Sequence, residues 1–276
     1  MTLPNFLIIG AAKAGTTSLY HYLRQHPDVY MSPVKEPRYY WYEGQAEGRL
    51  EIVTREAYER LFSDVTSQRA LGEATPQYLH SPTAPDRIAA DLPGVRLVVS
   101  LRNPADRAYS SYLGRLLGGE ERRGVEEAMH PGTYYFETSL YHSSLSRYFE
   151  RFARSRIKVV LFDDLAANPR AVVQDLYEFL GVDPTFDVDV TTLHNRAAVP
   201  RSLVANRILC KTAQRVHGLL PPSMRDTGIT HRIQRLLLRR PDPLPGAIRR
   251  LLLEQFRDDI LKTAALIGKP LLHWLE

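Results

Sequence analysis

The sequence has little cysteine and no long apolar run. A single cysteine, Cys210, in 276 residues excludes an intrachain disulfide framework and zinc sites that need two or four cysteine ligands. The longest apolar stretches, such as the run that begins at Phe6, are strand-sized and far below the ~18 residues of a membrane-spanning helix. The first residues lack the basic and apolar regions of a secretory signal. These absences predict an unprocessed cytoplasmic protein.

Lysine is also scarce, at 6 of the 36 basic residues, and the charge is unevenly distributed. Residues 201–276 carry 14 Lys and Arg against 6 Asp and Glu, whereas the chain as a whole has a net charge of +5. We favour solvated helix faces as the explanation, and we expect no nucleic-acid partner. The amphipathic segment 233–240 leaves a peripheral membrane contact open as an alternative. The oligomeric state cannot be predicted.

The remaining composition, 44% hydrophobic and 24% charged, is typical of a globular protein. Strands that alternate with helices predict a parallel sheet covered on both faces. Without a composition break, we expect one α/β domain of P-loop-like type over 1–276, whose loop-rich, basic segment 191–276 adds a C-terminal helical extension. The predicted strands are 5–10, 95–101 and 157–162, with a short one at 29–31. The predicted helices are 16–26, 55–62, 104–117, 140–152, 168–180 and 246–267.

The first motif, Gly10-Ala-Ala-Lys-Ala-Gly-Thr-Thr-Ser18, lies between the first strand and the first helix. Small residues let the backbone wrap an anion, and N–H groups of the loop and the helix start attract it. Gly10 and Gly15 have the Walker A separation, but the Lys-Ser/Thr pair of a Walker A loop is missing and the lysine stands inside, at Lys13. The motif therefore predicts an anion-binding loop unlike that of the usual ATPases.

The second motif runs from Ser100 to Tyr112, where a buried strand gives way to a helix. Ligands of open α/β sheets bind at this carboxyl edge. Arg102 at the strand end can hold a phosphate bidentately, and Ser110, two turns into the helix, could reach the same group. The alternative is a surface ion pair between Arg102 and Asp106.

Together these motifs resemble those of the sulfotransferases that use 3′-phosphoadenosine 5′-phosphosulfate (PAPS). The segment Lys13–Leu19 is similar to their 5′-phosphosulfate loop, and Leu101–Tyr112 is similar to their 3′-phosphate motif. Further segments agree in order along nearly the whole chain, most closely with the bacterial and glycan-modifying branch. These segments are 32–40, 72–78, 141–152 and 259–274.

The resemblance implies transfer of a sulfuryl group from PAPS to a hydroxyl or amine, with release of adenosine 3′,5′-bisphosphate and without a metal. Lys13 would be catalytic, because its ammonium can neutralise the charge on the departing phosphate oxygen. Arg102 and Ser110 would hold the 3′-phosphate, and a late basic loop would add Arg201 and Arg196. The 5′-phosphosulfate would be bound by Lys13, Ala14, Gly15, Thr16, Thr17 and Ser18.

The resemblance also implies a general base. Glu36 occupies the base position of the family's Lys-Glu segment, and His80 is a second candidate because a histidine serves as the base in the small-molecule branch. Each has a structural alternative. Glu36 could pair with Lys35 or Arg38 on a loop, and His80 could be an ordinary structural histidine.

Aromatic residues directly after the base are expected to contribute to the acceptor cleft. Tyr39, Tyr40 and Trp41 could stack on a sugar or a planar acceptor, although adjacent side chains must point in different directions. Two further acceptor contacts are expected at Glu73 and Tyr141.

The departures from the family pattern bear on the acceptor. The glycosaminoglycan enzymes have a lysine where this chain has Ala74, and a disulfide-closed loop that this chain lacks. We therefore expect a small-molecule, glycolipid or natural-product acceptor. A P-loop kinase of small molecules is the enzymatic alternative, and a non-catalytic anion-binding or membrane-surface module is the other.

Overall fold

The computed structural model describes residues 2–41, 52–191, 199–200, 202, 206, 212 and 238–276. The chain divides into two compact units. The first comprises Met1–Asn103, Leu140–Asn195 and Phe256–Glu276, and the second comprises Pro104–Ser139 and Arg196–Gln255. The expectation of one domain over 1–276 stays a prediction.

The first unit is built on a parallel sheet of five strands in the order β2-β3-β1-β4-β5. This arrangement confirms the predicted fold class. The strands are β1 (Phe6–Gly10), β2 (Val29–Met31), β3 (Ala70–Ala74), β4 (Arg96–Leu101) and β5 (Ile157–Leu161). In the second unit β6 (Val199–Pro200) pairs antiparallel with β7 (Leu238–Arg239).

The helices agree with most of the predicted ranges, and the helical C-terminal segment is present. Helices α3, α5, α6 and α8 were not predicted. The helices are α1 (Thr16–Leu23), α2 (Arg55–Arg60), α3 (Ala84–Asp91), α4 (Pro104–Leu117), α5 (Val125–Ala128), α6 (Tyr134–Glu137), α7 (His142–Arg151), α8 (Phe162–Ala167), α9 (Pro169–Leu180) and α10 (Gly246–Ile267). Short 3₁₀ helices cover Tyr39–Trp41, Pro76–His80, Arg154–Arg156 and Leu272–Leu275. Within the described ranges no helix has the length and apolarity needed to cross a membrane.

Strand β3 is the strand of the sheet that the sequence pattern did not predict. Its residues Ala-Leu-Gly-Glu-Ala form no continuous apolar run, yet all five are buried between β1 and β2. Gly72 is required there, because a Cβ at this position would lie 2.2 Å from Cζ of Phe6. The missing side chain therefore lets the Phe6 ring pack directly against the backbone of the neighbouring strand.

Helix α9 shows why the local sequence signals were reliable. The Asn168 side chain accepts a hydrogen bond from the Ala171 N–H (3.2 Å), Pro169 opens the helix, and Gly181 ends it with φ 77°. On its buried face the Tyr177 hydroxyl donates to the carbonyl oxygen of Tyr22 in α1 (3.1 Å). This packing covers one face of the sheet.

The second unit contains two buried charged groups with local partners. Arg107 of α4 donates to the hydroxyls of Thr138 and Ser139. Glu121 accepts hydrogen bonds from the Arg123 side chain and from the Tyr135 hydroxyl (2.7 Å). Because the Arg123 bonds outweigh the effect of burial, the pKa of Glu121 is lowered. Both groups have the structural role typical of satisfied buried charges.

Residues of the segment 256–276, which belongs to the first unit, bond to other parts of that unit. The Asp259 carboxylate accepts from the backbone N–H groups of Tyr141 (2.8 Å) and His142 (3.0 Å), and so caps α7. The indole N–H of Trp274 donates to Asp163 (2.7 Å), directly after β5. These bonds explain why the segment resembling the family's terminal helix ends in a buried tryptophan.

Candidate active site

The carboxyl edge of the parallel sheet gathers most of the predicted site residues. The loop 11–15 follows β1, and Glu36 lies shortly after β2. Thr75 directly follows β3, and Arg102 directly follows β4. The Glu36 N–H donates to the carbonyl oxygen of Ala74 (3.0 Å), which joins the segments after β2 and β3. A binding site at this edge is what an open α/β sheet predicts.

The loop 11–15 is held by its neighbour β4. The Ala11 N–H donates to the Ser100 carbonyl oxygen (2.7 Å), and the Ser100 hydroxyl donates to the Ala14 carbonyl oxygen (2.5 Å). Arg102 donates to the carbonyl oxygen of Lys13 (3.3 Å). Lys13 itself has φ 70° and an exposed side chain. The loop is therefore fixed through backbone groups of Ala11, Lys13 and Ala14, while the side chain of Lys13 is exposed.

Gly15 connects this loop to α1. It has φ 87°, a conformation that favours glycine, and a Cβ there would lie 2.8 Å from a methyl group of Leu165. Among the described residues no side chain caps α1, and its first turn contains no acidic residue. The backbone N–H groups of the first turn and the helix dipole therefore favour an anion at this end. The residues that supply these groups are Thr16, Thr17 and Ser18.

Arg102 is positioned by contacts of its side chain, of its carbonyl oxygen and of the residue that follows it. Its guanidinium lies over the ring of Phe162, 4.7 Å from the ring centroid. Its carbonyl oxygen accepts from the Tyr141 hydroxyl (2.9 Å), and the next residue, Asn103, donates to the carbonyl oxygen of Trp274 (2.8 Å). Tyr141 is buried, so it supports Arg102 and does not face solvent.

Glu36 is the centre of a small charged network. Its carboxylate accepts from the ammonium of Lys35 (2.7 Å), from the guanidinium of Arg38 (3.1 Å) and from the side-chain amide of Gln77 (2.9 Å). Partial burial alone would raise the pKa of Glu36, but these hydrogen bonds and the Lys35 charge lower it to about 2. The carboxylate is therefore ionised at neutral pH, and 27% of its side chain is exposed.

Glu73 lies in β3 and is fully buried, with 0% of its surface exposed. It accepts hydrogen bonds from the hydroxyls of Thr75 (2.8 Å) and Tyr58 (3.4 Å), and from the side chain of Tyr78. Burial is the largest influence and raises the pKa of Glu73 to about 7, although the hydrogen bonds oppose it. The side chain that was expected to contact an acceptor is instead enclosed by hydroxyl groups.

The aromatic residues after Glu36 point in different directions, as expected of adjacent side chains. Tyr39 is half-buried and stacks on Tyr58 with ring centroids 4.4 Å apart. Tyr40 is buried at 1% exposure, whereas Trp41 is 39% exposed. The next aromatic residue, Tyr42, lies outside the described residues. Of the three described members of this cluster, Tyr39 and Trp41 are therefore the ones with surface that an acceptor could reach.

The comparisons with known proteins decide the family. The sulfotransferase domain family matches residues 3–200, well over half of the chain. The chain belongs to the sulfotransferase domain family. Both the predicted family and the predicted fold are thereby confirmed, and the family favours sulfuryl transfer over the P-loop kinase alternative.

Two curated sulfotransferases and one solved structure illustrate the relationship. The membrane-associated sulfotransferase kil1 of Dictyostelium discoideum is 36% identical over 115 residues, which are 41% of this chain and 23% of that protein. A bifunctional heparan sulfate N-deacetylase/N-sulfotransferase 4 of Mus musculus is 27% identical over 209 residues, 67% of this chain and 23% of that protein. The chain thus spans less than a quarter of these two relatives.

A solved sulfotransferase from Alicyclobacillus acidocaldarius is similar over its whole length. It is 28% identical, the TM-score is 0.76, and 100% of each chain is covered. The fold of this sulfotransferase domain is therefore shared by a solved chain over its whole length.

The remaining predicted residues of this sulfotransferase domain are His80, Ser110, Arg196 and Arg201. His80 ends the 3₁₀ helix Pro76–His80 and makes a hydrogen bond through Nδ1 with the Ser144 hydroxyl of α7 (3.1 Å). Ser110 is half-buried in α4, in the second unit. Arg196 and Arg201 lie outside the described residues. No cluster of three or more His, Cys, Asp or Glu side chains suited to a metal ion occurs in the described ranges.

Sequence reasoning missed two residues that shape the site. Gln77 donates to Glu36, and Thr75 accepts a hydrogen bond from the backbone N–H of Arg38 (3.3 Å). Both lie in the segment 72–78, whose similarity to the family was noticed but whose contact with the segment 32–40 was not. The signal available was that the two segments follow neighbouring parallel strands, and it required β3 to be recognised as a strand.

Proposed function

We propose that the chain transfers a sulfuryl group from PAPS to a hydroxyl or amine of an acceptor, and that adenosine 3′,5′-bisphosphate is released. The observation that carries the proposal is the common position of the Lys13 loop, after β1, and the Glu36 carboxylate, after β2, at one edge of the sheet. The segment of Glu36 is held there by bonds to Ala74 and Thr75. When bound, PAPS supplies the sulfuryl group in an activated linkage to its 5′-phosphate.

The anion-binding loop fits the phosphosulfate group. The exposed ammonium of Lys13 can neutralise the charge that develops on the bridging oxygen as the S–O bond to the phosphate breaks. The first-turn N–H groups and hydroxyls of Thr16 and Thr17 can hold the 5′-phosphate. Arg102, which follows β4, can bind the 3′-phosphate bidentately. We propose Ser110, Arg196 and Arg201 as the further contacts that complete the nucleotide site.

Glu36 is the proposed general base. The acceptor hydroxyl attacks the sulfur atom, its O–S bond forms, and its proton passes to the Glu36 carboxylate. A carboxylate with a pKa of about 2 is a weak base, but an attacking hydroxyl becomes strongly acidic as its oxygen bonds to sulfur. Its bonds from Lys35, Arg38 and Gln77 hold the carboxylate in one orientation while leaving part of it exposed.

Tyr39 and Trp41 are the proposed acceptor contacts, because they combine aromatic surface with exposure next to the base. The burial of Tyr40, Glu73 and Tyr141 supports a positioning role for these three in place of direct contact. The position of Ala74, where the glycosaminoglycan enzymes have lysine, supports a small-molecule, glycolipid or natural-product acceptor.

The cellular compartment and a contact with a membrane surface are also proposals. The single cysteine supports a reducing, cytoplasmic compartment, as in a bacterial enzyme. The basic composition of 201–276 supports a peripheral membrane contact as an accessory property, and liposome flotation would test it.

Nucleotide binding without metal tests the proposed function. With EDTA present and ligand at about 100-fold excess over Kd, adenosine 3′,5′-bisphosphate should raise Tm by roughly 5 °C or more. AMP should raise it much less, because the interaction of Arg102 with the 3′-phosphate is lost. Equal shifts from both nucleotides would remove the assignment of Arg102, and a shift only with ATP and Mg²⁺ would favour a kinase.

A further inference from the structure

The segment that carries Glu36 is in an unfavourable backbone conformation. Glu36 has φ 61° and Arg38 has φ 60°, values that non-glycine residues adopt rarely. Such residues keep this conformation only when surrounding contacts impose it. The orientation of the Glu36 carboxylate therefore depends on the groups that hold this segment.

Those groups belong to the chain that leaves β3. The Glu36 N–H donates to the Ala74 carbonyl oxygen (3.0 Å), and the Arg38 N–H donates to the Thr75 hydroxyl oxygen (3.3 Å). The Gln77 amide donates to the Glu36 carboxylate itself (2.9 Å). Glu36 and Arg38, the two residues with positive φ, are thus each linked through their backbone N–H group, and the acceptor of the Arg38 link is a hydroxyl group that can rotate.

Glu73 fixes the direction in which the Thr75 hydroxyl group points. The Thr75 hydroxyl has one hydrogen, and it donates this hydrogen to the Glu73 carboxylate (2.8 Å). With the hydrogen committed to Glu73, a lone pair of the same oxygen faces the Arg38 N–H. Without an acceptor at position 73, the hydroxyl could rotate, and its hydrogen would compete with the bond from Arg38.

We propose that Glu73 is a positioning residue for Glu36 and acts through the Thr75 hydroxyl. The proposal rests on the proposed function, in which Glu36 is the base. A purely structural role would not require a carboxyl group, since a buried ionisable side chain is costly and an apolar residue of similar volume often replaces it without loss of stability. The Tyr58 hydroxyl also bonds Glu73 but has no link to the Arg38 backbone, which makes it a matched control.

The test compares variants that remove the acceptor at position 73 or the hydroxyl at position 75 with variants that retain them. Glu73→Leu and Thr75→Val remove the acceptor and the hydroxyl, whereas Glu73→Gln and Thr75→Ser retain an oxygen at each place. Tyr58→Phe removes only the other bond to Glu73. Hydrogen exchange of peptides covering 35–41 reports on the segment directly, and exchange over 157–161 in β5 reports on global stability.

We expect Glu73→Leu and Thr75→Val to speed exchange over 35–41 about tenfold or more while leaving 157–161 unchanged. PAPS turnover, measured with the extract fraction that accepts the label, should fall about tenfold in kcat, with the affinity for adenosine 3′,5′-bisphosphate within about threefold of wild type. Glu73→Gln, Thr75→Ser and Tyr58→Phe should stay close to wild type. The double variant Glu73→Leu/Thr75→Val should be no worse than the more severe single variant.

Unchanged exchange over 35–41 in Glu73→Leu, or losses that add fully in the double variant, would overturn the proposal. If Glu73→Leu does not fold, the pair Thr75→Val and Thr75→Ser decides, because equal exchange in these two would remove the hydroxyl link. A wild-type protein that neither binds the nucleotide nor turns over PAPS would refute the proposed function, whereas the exchange measurements would still decide whether Glu73 positions the segment.

Discussion

Glu36 and Glu73 are carboxyl groups on neighbouring segments of one sheet edge, and their surroundings differ. Glu36 is partly exposed and bound by two cations and an amide, and its pKa falls to about 2. Glu73 is fully buried among hydroxyl groups, and its pKa rises to about 7. The charge of the bonding partners and the degree of burial, not the residue type, therefore set the role of each group. Opposite pKa shifts in adjacent acids are typical of acid–base sites.

The difference assigns the two groups separate tasks. Glu36 is ionised at neutral pH and reachable from solvent, as a proton acceptor must be. Glu73 is closed to solvent and bonded to Thr75, Tyr58 and Tyr78, which suits a positioning role better than direct contact with an acceptor. Variants of Glu36 should therefore affect catalysis most, and Glu73→Gln should affect the pH dependence of stability most.

The largest effect is expected for Glu36→Gln. The amide keeps the shape of the side chain but cannot take a proton, so turnover should fall ~10²–10⁴-fold, the range of general base catalysis. Binding of adenosine 3′,5′-bisphosphate, measured by calorimetry, should be unchanged. The acidic limb of the kcat/KM profile should disappear in this variant.

His80→Asn is the control for that measurement. It should leave the acidic limb in place, because His80 bonds to Ser144 and is not part of the Glu36 network described above. If His80→Asn removed the limb and Glu36→Gln kept it, the base would be His80. Glu36 would then not be the proton acceptor, and the difference between the two carboxylates would have no role in catalysis.

Lys13→Ala should lower kcat by at least ~10²-fold, the scale for loss of one charge-stabilising group. The nucleotide should still bind within about an order of magnitude, because the N–H groups of the loop remain. Lys262→Ala, which removes an exposed lysine of α10, is the matched control and should be silent. Unchanged kcat with much weaker nucleotide binding would make Lys13 a binding residue only.

Glu73→Gln should change the pH dependence of stability more than activity. The pKa of Glu73 is raised on folding, so its contribution to stability is complete below the unfolded pKa of 4.5 and is lost as pH rises through about 7. Between pH 5 and pH 8 the free energy of unfolding of the variant should therefore gain about 2–3 kcal/mol relative to wild type. Urea titrations at the two pH values measure this difference.

In the same urea titrations, Glu36→Gln should show the opposite pH dependence of the free energy of unfolding. Because the pKa of Glu36 is lowered to about 2, its contribution is present above pH 4.5 and is lost as pH falls toward 2. The stability gap between wild type and Glu36→Gln should therefore close in acid. Identical pH dependence in the two variants would contradict the distinction between these carboxylates.

The smallest expected effect concerns the acceptor. For an acidic nucleophile such as a nitrophenol, the loss of kcat/KM in Glu36→Gln should be smaller than for an alcohol, because the nucleophile needs less help to lose its proton. An equal loss for both acceptors would indicate that Glu36 orients the acceptor and does not receive its proton.

Much of the fold and the nucleotide loop could be predicted because their signals are local. The apolar runs of β1 and β4, the Asn168 cap and Gly181 are each visible within a few residues of sequence. Lys13 and Gly15 lie in one continuous motif between strand and helix. For these features the neighbouring residues in the chain are also the neighbours in space.

The roles of Glu73 and Tyr40 could not be predicted because they depend on distant parts of the chain. Strand β3 has no apolar run, and its burial results from pairing with β1 and β2 and from the fit of Phe6 against Gly72. From the sequence, Glu73 was therefore expected to contact an acceptor, as a residue of the family-like segment 72–78. The same holds for Tyr40, whose carbonyl oxygen accepts from Arg87 of α3, an element absent from the predicted set.

Sulfuryl transfer itself is tested most directly with sulfur-labelled PAPS. The wild-type chain, Lys13→Ala and Glu36→Gln are each incubated with pooled host extract in EDTA, and the products are separated. We predict that the label enters an acceptor with the wild type, and that both variants lose at least ~10²-fold of this transfer. Absence of any labelled product with the wild type, together with phosphate transfer from ATP and Mg²⁺ by the same preparation, would contradict the account.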